Sequence, residues 1–331
     1  MVLSKRVDAF VKLGHELSNI SSEKMESLFA RAFNENNWFT PENITKSLEG
    51  IGGFSDEKNL NSWVSKYDFK EDAPKNVGVI MAGNIPLVGF HDLLSVLISG
   101  HHIMMKPSSQ DKVLMSFVIN TLLEIEPAFE KAIQIVERLN EADAFIGTGS
   151  DNSAKYFKQY FGKKPHIIRQ NRTSIGVISG TETKEELEAF GEDIFTYYGL
   201  GCRNVSKVFV PKGYDFIPLL DAQAKHEAVG DHHKYRNNYD YNKSIYLVNR
   251  EKHLDTGYLL IRESDEMVSP ISVLYYQQYE TEVELKQLLA SNNDKIQCIV
   301  GQNYIPLGKA QQPELWDYAD GVDTVAFLSQ L

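Results

Sequence analysis

The chain is poor in cysteine and has no long apolar run, and each absence excludes a class of protein. Its 331 residues include 2 cysteines, Cys202 and Cys298, and no Cys-x-x-Cys spacing. This excludes a disulfide framework and a zinc module, and it predicts a reducing compartment, which we take as the cytoplasm. No apolar stretch approaches the roughly 20 residues of a membrane-spanning helix, so no stable membrane insertion is expected.

Positive charge is also scarce. Lys and Arg number 34 against 45 Asp and Glu, which gives a net charge of −11, and the acids are dispersed along the chain. The resulting field repels polyanions, so nucleic acid is not an expected partner. A small anionic ligand is still compatible with this composition, because a few local Lys or Arg side chains suffice to bind one.

The pattern of apolar and capping residues in the first 66 positions predicts helices. Leu3, Val7, Phe10 and Leu17 recur at helical spacing, which is typical of an amphipathic helix that packs on the protein body rather than of a signal peptide. Further along, Thr40-Pro41 is a good pair for the N-cap and first turn of a helix.

From residue 77 the pattern alternates between short apolar strands and helices. "VGVIMA" predicts a buried strand, "LVGFHDLLSVLISG" a helix and "HHIMMKP" a second strand, which is one β-α-β unit of a parallel sheet. A helix with a cap at Thr183 and Glu three residues later is predicted before Cys202. Further strands are expected at "AIQIVER", "DAFIGTG", "PHIIRQ", "SIGVIS", "KVFVP", "SIYLVN" and "ISVLYYQQY".

These patterns predict an α/β fold. We expect an N-terminal helical region at 1–66, a Rossmann-like nucleotide-binding domain at 67–196 and a smaller α/β domain at 197–305. The C-terminal segment 306–331 is expected to pack back on the body of the protein.

The GxGxxG dinucleotide fingerprint is missing, but a weaker phosphate signal is present. In "FIGTGSDN" an Asn stands where the last Gly would be, yet Gly147, Thr148, Gly149 and Ser150 form a turn between a predicted strand and a predicted helix. Backbone N–H groups at such a helix start can bind a phosphate. A capped surface turn explains the same pattern.

Three other residues follow predicted strands or turns, and each has two interpretations. Asn84 in "AGNIP" makes an Asx turn or donates to an oxyanion. Lys106 in "MMKPSS" is a solvated lysine or reaches a ribose or phosphate at the carboxyl end of a strand. Cys202 in "GLGCRN" is a small buried hydrophobe or a nucleophile on a turn.

The order of these pieces resembles the aldehyde dehydrogenase superfamily. Asn84-Ile-Pro precedes Lys106-Pro-Ser by 22 residues, and Gly147-Thr-Gly-Ser and Gly199-x-x-Cys202 follow. Within the superfamily, the chain is most similar to the acyl-CoA reductases of the LuxC type over roughly residues 70 to 300. The resemblance implies an aldehyde-dehydrogenase-like fold in which 67–196 binds NAD(P) and 197–305 carries the catalytic thiol.

The resemblance also implies roles for single residues. It makes Cys202 the nucleophile and Asn84 its oxyanion support, and it assigns Lys106 to the adenosine ribose of the cofactor. "DEMVSPI" resembles the Glu-x-Phe-Gly-Pro segment of the family and implies that Glu266 contacts the nicotinamide ribose, with Val268 in place of the Phe.

Two departures from the family pattern bear on the reaction. The family's dehydrogenases carry a Glu that activates the hydrolytic water, whereas this chain has Arg169 or Gln170 there. Without that base an acyl-enzyme is not hydrolysed efficiently. Ser108-Ser109 replaces the acid that often binds the ribose 2′-OH of NAD, which favours NADPH over NADH.

The leading hypothesis is therefore NADPH-dependent reduction of an acyl thioester, from acyl-CoA or an acyl-protein and with a fatty acyl group, to the aldehyde through acyl-Cys202. The alternatives are a cysteine acyltransferase or thioesterase without nicotinamide, and a non-catalytic nucleotide-binding relative. The family usually forms oligomers, so a homo-oligomer is compatible with the resemblance.

The remaining polar clusters predict no metal site. His101 and His102 are adjacent, as are His232 and His233, and adjacent side chains of a strand point to opposite faces, so a polar rim or plain surface is the preferred interpretation. Cys298 lies in the apolar run "KIQCIVG" and is expected to be a buried structural thiol.

Overall fold

A computed structural model describes residues 1–70, 73–149 and 151–331. This part of the chain divides into two compact units, Met1–Asn171 with Glu314–Leu331, and Arg172–Pro313.

The first unit begins with helices that cover its parallel sheet. They are α1 (Leu3–Ser18), α2 (Ser22–Glu35), α3 (Pro41–Phe54) and α4 (Glu57–Val64). The predicted N-cap of α3 is present, since Thr40 Oγ1 accepts from the Asn43 N–H at 3.4 Å and Pro41 occupies the first turn. The apolar faces of these helices share one core with the sheet, which explains why the helical region and this sheet form a single unit.

The sheet of this unit is parallel, with strands in the order β3-β2-β1-β4-β5. From β1 the chain adds β2 and β3 on one side and then β4 and β5 on the other. The strand order therefore switches between β1 and β4, and such switch points are where open α/β sheets bind ligands. The strands are β1 (Asn76–Ile80), β2 (His102–Lys106), β3 (Ile133–Ile135), β4 (Ala144–Thr148) and β5 (His166–Arg169), and the connecting helices are α5 (Phe90–Ile98), α6 (Lys112–Ile125) and α7 (Asp151–Phe161).

The second unit has a sheet in the order β11-β6-β7-β10-β9-β8, parallel except for the pair β8 and β9. Its strands are β6 (Thr173–Val177), β7 (Val205–Pro211), β8 (Leu254–Asp255), β9 (Leu260–Glu263), β10 (Val273–Tyr279) and β11 (Ile296–Gly301). Its helices are α8 (Lys184–Phe195), α9 (Ile217–Gln223), α10 (His233–Asn249) and α11 (Glu282–Ser291). The predicted capping box of Thr183 and Glu186 starts α8.

The boundary between the two units lies between Asn171 and Arg172, earlier in the sequence than the expected boundary at residue 196. The reason is strand pairing, since β6 pairs with β7 and β11 of the second unit. Both β6 and α8 therefore belong to the unit of Cys202 rather than to that of the first sheet.

The expected strand at "SIYLVN" was wrong, because these residues lie in α10. Tyr235, Tyr239, Asn242 and Tyr246 form the buried face of this helix at spacings of three and four residues. The helical period of the longer segment overrides the strand preference of a short β-branched run.

The C-terminal residues return to the first unit from Glu314 onward and end in α12 (Thr324–Ser329). Trp63 Nε1 donates to the Tyr318 hydroxyl at 2.6 Å, and His101 Nε2 donates to the Leu328 carbonyl at 2.9 Å. Residues 306–313 remain with the second unit, so only the later part of the expected segment packs on the first unit.

Candidate active site

Asn84 lies in the loop after β1, and Lys106 ends β2. Asn84 is exposed in the loop that follows β1, and Lys106 is the exposed last residue of β2, where its Nζ donates to the Glu137 carbonyl at 3.3 Å. Because the two strands are parallel neighbours, both residues lie at the carboxyl edge of the sheet.

The loops that follow β1 and β2 contact each other. A Cβ at Gly83 would lie 2.5 Å from Ser108 Cβ, so the backbone at this position comes close enough to Ser108 to require glycine. The Leu87 N–H donates to Asp111 Oδ2 at 2.8 Å, and Leu87 adopts the left-handed conformation with φ 58°. Asp111 therefore fixes a strained residue three positions after Asn84, a link that the sequence did not reveal.

Burial raises the pKa of Asp111 to about 8, and the nearby Glu35 acts in the same direction. Its Oδ1 has no hydrogen-bond partner among the described residues. Between about pH 4 and pH 8 the Asp111 carboxyl is therefore protonated in the folded protein. In the unfolded chain, where its pKa has the ordinary value of 3.8, it has released this proton. This contribution to stability is complete below about pH 4 and is lost as the pH rises through about 8.

We expect Asp111→Asn to remove this pH dependence. Relative to the parent protein, its free energy of unfolding should rise by roughly 2–5 kcal/mol between about pH 5 and pH 8.5, since one pKa unit corresponds to ~1.4 kcal/mol. Urea denaturation at both pH values measures the difference. Asp56→Asn, at the exposed N-cap of α4, is the control and should show a difference that does not grow with pH. A constant difference for Asp111→Asn would contradict the assignment.

The glycine segment 147–149 lies against α7, with Gly147 and Thr148 still in β4 and Gly149 just after it. A Cβ at Gly149 would lie 2.8 Å from Ser153 Cβ, and one at Gly147 would lie 3.0 Å from Phe157 Cδ2. Only glycine allows the turn to pack this closely on the helix start. Thr148 ends β4, and Ser150 lies outside the described residues.

Arg169 holds this turn from the end of β5. Its buried guanidinium Nη1 lies 2.8 and 2.7 Å from Asp92 Oδ1 and Oδ2 and 3.4 Å from Thr148 Oγ1, and Nη2 donates to Thr324 Oγ1 at 2.9 Å. The Gly149 N–H donates to the Arg169 carbonyl at 3.4 Å. Arg169, one of the two residues expected at the position of the family's glutamate, is thus a cation that joins β4, β5, α5 and α12.

The two cysteines lie in opposite environments. Cys202 is exposed, whereas Cys298 is buried in β11 with its Sγ 3.0 Å from Ser174 Oγ. Only Cys202 is therefore open to an external substrate.

The turn that presents Cys202 has an unusual backbone. Tyr197 and Tyr198 are both left-handed, with φ 55° and 58°, and Gly199 follows with φ 77°. A non-glycine residue in this conformation costs roughly 1–2 kcal/mol. The prediction of a glycine turn was therefore correct for Gly199 but missed the two strained tyrosines before it.

Asn204 stabilises this turn from inside. Its side-chain amide donates to the carbonyls of Asp193, Ile194 and Thr196 at 3.2, 3.3 and 2.8 Å, and its Oδ1 accepts from the Gly201 N–H at 2.8 Å. The amide thereby joins the end of α8 to the residue just before Cys202. Sequence reasoning did not identify this role, since an Asn two positions after a cysteine has no distinctive pattern.

We expect Asn204→Ala to lower the free energy of unfolding by about 2–3 kcal/mol, because buried backbone groups lose their partners. Urea denaturation measures this loss, and intact-mass analysis follows acylation of Cys202, which should be slower by roughly tenfold as the turn relaxes. Asn238→Ala removes an amide that donates within α10 to the Lys234 carbonyl, and it should change both quantities little. Equal effects of the two substitutions would contradict a special role for Asn204.

The residue after Cys202 holds a loop of the same unit. Arg203 Nε donates to the Ala310 carbonyl, while the Asp193 carboxylate accepts from the N–H groups of Gly308 and Ala310 at 2.6 and 2.8 Å. Burial raises the pKa of Asp193 to about 6, although the two N–H donors oppose this rise. Segment 308–310 is thereby fixed beside the cysteine turn.

Glu266 is exposed in the segment that follows β9, in the same unit as Cys202. The Ser206 hydroxyl donates to the Met267 carbonyl at 2.9 Å, which attaches this segment to β7, the strand that follows the cysteine turn. Val268 is 56% exposed, so a hydrophobic side chain faces solvent here.

The histidines have structural partners. His101, expected on a rim or surface, is instead buried, where its Nδ1 accepts from the Lys75 N–H at 3.1 Å. His226 Nε2 donates to the Glu188 carbonyl at 2.9 Å, and the Tyr198 ring lies 4.3 Å from the His232 ring. Within residues 1–70, 73–149 and 151–331, no group of His, Cys, Asp and Glu side chains could hold a metal ion.

The predicted residues therefore fall into two groups. Asn84, Lys106, Ser108 and the turn 147–149 lie at one sheet edge of the first unit. Cys202 and Glu266 belong to the second unit.

A family model described as acyl-CoA reductase (LuxC) matches residues 9–218, which is more than half of the chain. The chain belongs to the LuxC acyl-CoA reductase family. This LuxC-family chain is 23% identical over 236 residues to the long-chain acyl-protein thioester reductase of Aliivibrio fischeri. The match covers 62% of this chain and 47% of that protein, so the chain spans about half the length of this curated relative.

Solved structures show that the LuxC-family chain has the aldehyde dehydrogenase fold. An NAD-dependent aldehyde dehydrogenase from Sinorhizobium meliloti matches with a TM-score of 0.70 and 11% identity, covering 94% of this chain and 72% of that one. The NAD+ complex of an aldehyde dehydrogenase from Bacillus cereus matches with a TM-score of 0.63 and 16% identity, covering 91% and 72%. None of the helices in the described residues is long and apolar enough to cross a membrane.

Proposed function

We propose that this protein is an oxidoreductase that reduces an acyl thioester to the aldehyde through a covalent acyl group on Cys202. The observation that carries the proposal is the exposed thiol on a strained turn that a buried amide holds in place. Membership of the LuxC acyl-CoA reductase family supports the reaction class.

The chain's own residues account for acyl transfer to the enzyme. The Cys202 thiolate attacks the thioester carbonyl carbon and forms a new C–S bond, while the C–S bond to the donor breaks and its sulfur leaves with the electron pair. The Asn84 amide and the Cys202 N–H are assigned to the oxyanion. After reduction of the acyl carbon, the C–S bond to Cys202 breaks, which frees the aldehyde and regenerates the thiolate.

The environment of residue 169 favours reduction over hydrolysis. Where the related dehydrogenases carry a glutamate that activates water, this chain has Arg169 or Gln170, and Arg169 is buried in an ion pair with Asp92. A guanidinium cannot accept a proton from water at neutral pH. The acyl-enzyme is therefore spared rapid hydrolysis and persists until it is reduced.

The first unit supports a nicotinamide dinucleotide site. The loop after β1 and the glycine segment at the end of β4 flank the point where the strand order switches, which is where open α/β sheets bind ligands. By the family resemblance, Lys106 and Ser108 are assigned to the adenosine ribose, segment 147–149 to the pyrophosphate, and Glu266 to the nicotinamide ribose. A bound NADPH supplies the hydride.

We expect NADPH to bind more tightly than NADH, because Ser109 stands where an acid would repel the 2′-phosphate. Ser109→Glu should reverse the preference, with a change of about tenfold or more in the ratio of the two dissociation constants. Thermal-shift titration with each cofactor measures both constants. Ser62→Glu, on the exposed face of α4, adds the same charge elsewhere and should leave the ratio unchanged. Tighter NADH binding by the parent protein would contradict the choice of NADPH.

The acyl donor is a thioester of CoA or of an acyl-protein. The similarity to the long-chain acyl-protein thioester reductase of Aliivibrio fischeri supports the second donor and a long acyl chain. A reduced nucleophilic thiol needs a reducing compartment, which supports the cytoplasm.

Intact-mass measurement after incubation with palmitoyl-CoA, without cofactor, tests the proposal. We expect one acyl adduct on Cys202 that disappears when NADPH is added, with a matching loss of absorbance at the nicotinamide band and release of aldehyde. Loss of the adduct as free acid without NADPH would show a thioesterase. If palmitoyl-CoA and a palmitoylated acyl-carrier protein both leave Cys202 unmodified, the proposal fails.

A further inference from the structure

Two irregularities of the second sheet converge on Ser174 in β6. Against β11, Thr173 pairs with Ile296 but Ile175 pairs with Ile299, so two residues of β11 lie opposite Ser174. Against β7, Ser174 pairs with Val205 but Ile175 pairs with Lys207, so Ser206 is an extra residue there. Bulges redirect side chains and are frequent beside active sites.

The bulge in β11 directs both polar groups of Cys298 at Ser174. The Cys298 N–H donates to Ser174 Oγ at 3.2 Å, and the Cys298 Sγ lies 3.0 Å from the same oxygen. Ser174 Oγ in turn donates to the Cys202 carbonyl at 3.0 Å. Ser174 is fully buried, with 0% of its surface exposed, so no solvent competes for these bonds.

The donor and acceptor capacity of a hydroxyl fixes the direction of these contacts. A serine has one hydrogen to donate and two lone pairs to accept with. The carbonyl of Cys202 can only accept, so it takes the Ser174 hydrogen, and the Cys298 N–H and S–H fill the two lone pairs. The buried thiol, which the sequence suggested was only a structural residue, is thereby connected through one hydroxyl to the peptide of the exposed one.

The backbone of Ser174 makes a second attachment. Its N–H donates to the Asn204 carbonyl at 3.2 Å, while its hydroxyl binds the Cys202 carbonyl. Ser174 therefore holds the cysteine turn on both sides of Arg203. Asn204 fixes the same turn to α8, so the turn is anchored to the sheet and to the helix independently.

We propose that Ser174 and Cys298 are positioning residues for Cys202. They set the peptide that carries the nucleophile, so that the thiol meets the thioester carbonyl in a productive geometry. The inference rests on the proposed function, because it requires that acyl transfer to Cys202 be the reaction that depends on this geometry. A positioning role predicts that acyl transfer slows while thioester binding and the simple chemical reactivity of the thiol stay the same.

The test compares Ser174→Ala, Cys298→Ala and Cys298→Ser with the parent protein. Rapid-quench intact-mass analysis over a range of palmitoyl-CoA concentrations gives the maximal acylation rate of Cys202 and the half-saturating concentration. Loss of one buried hydrogen bond should lower the maximal rate by about tenfold in Ser174→Ala and about threefold in Cys298→Ala. Cys298→Ser retains a donor for Ser174 Oγ and should recover most of the rate.

Alkylation of Cys202 by iodoacetamide across pH separates positioning from other roles. We expect the same rate and the same pH profile in the parent protein and in Ser174→Ala, since a small reagent needs no oriented thiol. Ser99→Ala is the matched control, because its buried hydroxyl donates to the Ser95 carbonyl in the other unit, and its acylation rate should equal that of the parent. A shift in the pH profile of alkylation would overturn the positioning role. So would a change in the half-saturating concentration of palmitoyl-CoA with no change in the maximal acylation rate.

The outcomes distinguish the two proposals. If neither palmitoyl-CoA nor a palmitoylated acyl-carrier protein acylates the parent protein, the proposed function fails. If the parent is acylated on Cys202 and both Ser174→Ala and Cys298→Ala are acylated at the parental rate, the function stands and the positioning role is wrong. Should Ser174→Ala fail to fold, the comparison of Cys298→Ala with Cys298→Ser decides alone, and equal rates for those two would overturn the inference.

Discussion

Replacing Cys202 by alanine is expected to abolish both acyl transfer and aldehyde formation. The proposed reaction breaks and forms bonds at this sulfur, and removal of a covalent nucleophile lowers turnover by roughly 10⁴-fold or more. Cys202 is exposed, so the substitution removes few packing contacts and should leave thermal stability close to that of the parent. Nicotinamide absorbance with palmitoyl-CoA and NADPH measures the first effect, and a thermal melt measures the second.

Cofactor binding provides the control for Cys202→Ala. The substitution changes none of the predicted cofactor residues, of which Lys106 and Gly147–Gly149 lie in the first unit, so we expect NADPH to stabilise Cys202→Ala as much as it stabilises the parent. A Cys202→Ala protein that still reduced palmitoyl-CoA at the parental rate would show that the sulfur is not the nucleophile. It would leave a direct transfer of hydride to the bound thioester as the mechanism.

The location of these candidate residues at or near strand ends could be predicted from the sequence. Asn84, Lys106 and Gly147 each follow an apolar run of strand length, and in a parallel sheet the carboxyl ends of the strands share one edge. Their placement depends only on local patterns and on the rule for right-handed crossovers. The fold class followed from the same alternation.

The residues that support the site could not be predicted in this way, because their partners are remote in the sequence. Asp111 binds a backbone N–H 24 positions away, Arg169 binds Asp92 77 positions away, and Ser174 contacts Cys298 124 positions away. A buried polar residue in a strand carries no local signal for its partner. The bulges that direct Cys298 to Ser174 are likewise invisible in a strand pattern, which gives the length of a strand but not its register.

Replacing Arg169 by methionine is expected to have the largest effect on stability. The substitution leaves the Asp92 carboxylate, whose side chain is only 7% exposed, without its cation. Breaking a buried pair from one side costs roughly 3–5 kcal/mol. The Arg169 bond to Thr148 is lost as well, so the glycine turn should loosen and NADPH should bind more weakly. Urea denaturation measures the first effect and thermal-shift titration the second.

Two further variants determine whether the cost comes from the uncompensated charge. Arg169→Met combined with Asp92→Leu removes both charges and should recover most of the stability, because a buried pair replaced by apolar side chains of similar volume is often close to neutral. Lys184→Met breaks a surface pair with Glu188, whose N–O distance is 3.7 Å, and should cost less than about 0.5 kcal/mol. If the double variant were as unstable as Arg169→Met, the loss would come from the hydrogen bonds to Thr148 and Thr324. In that case Arg169 would act mainly as a donor that joins β4 and α12.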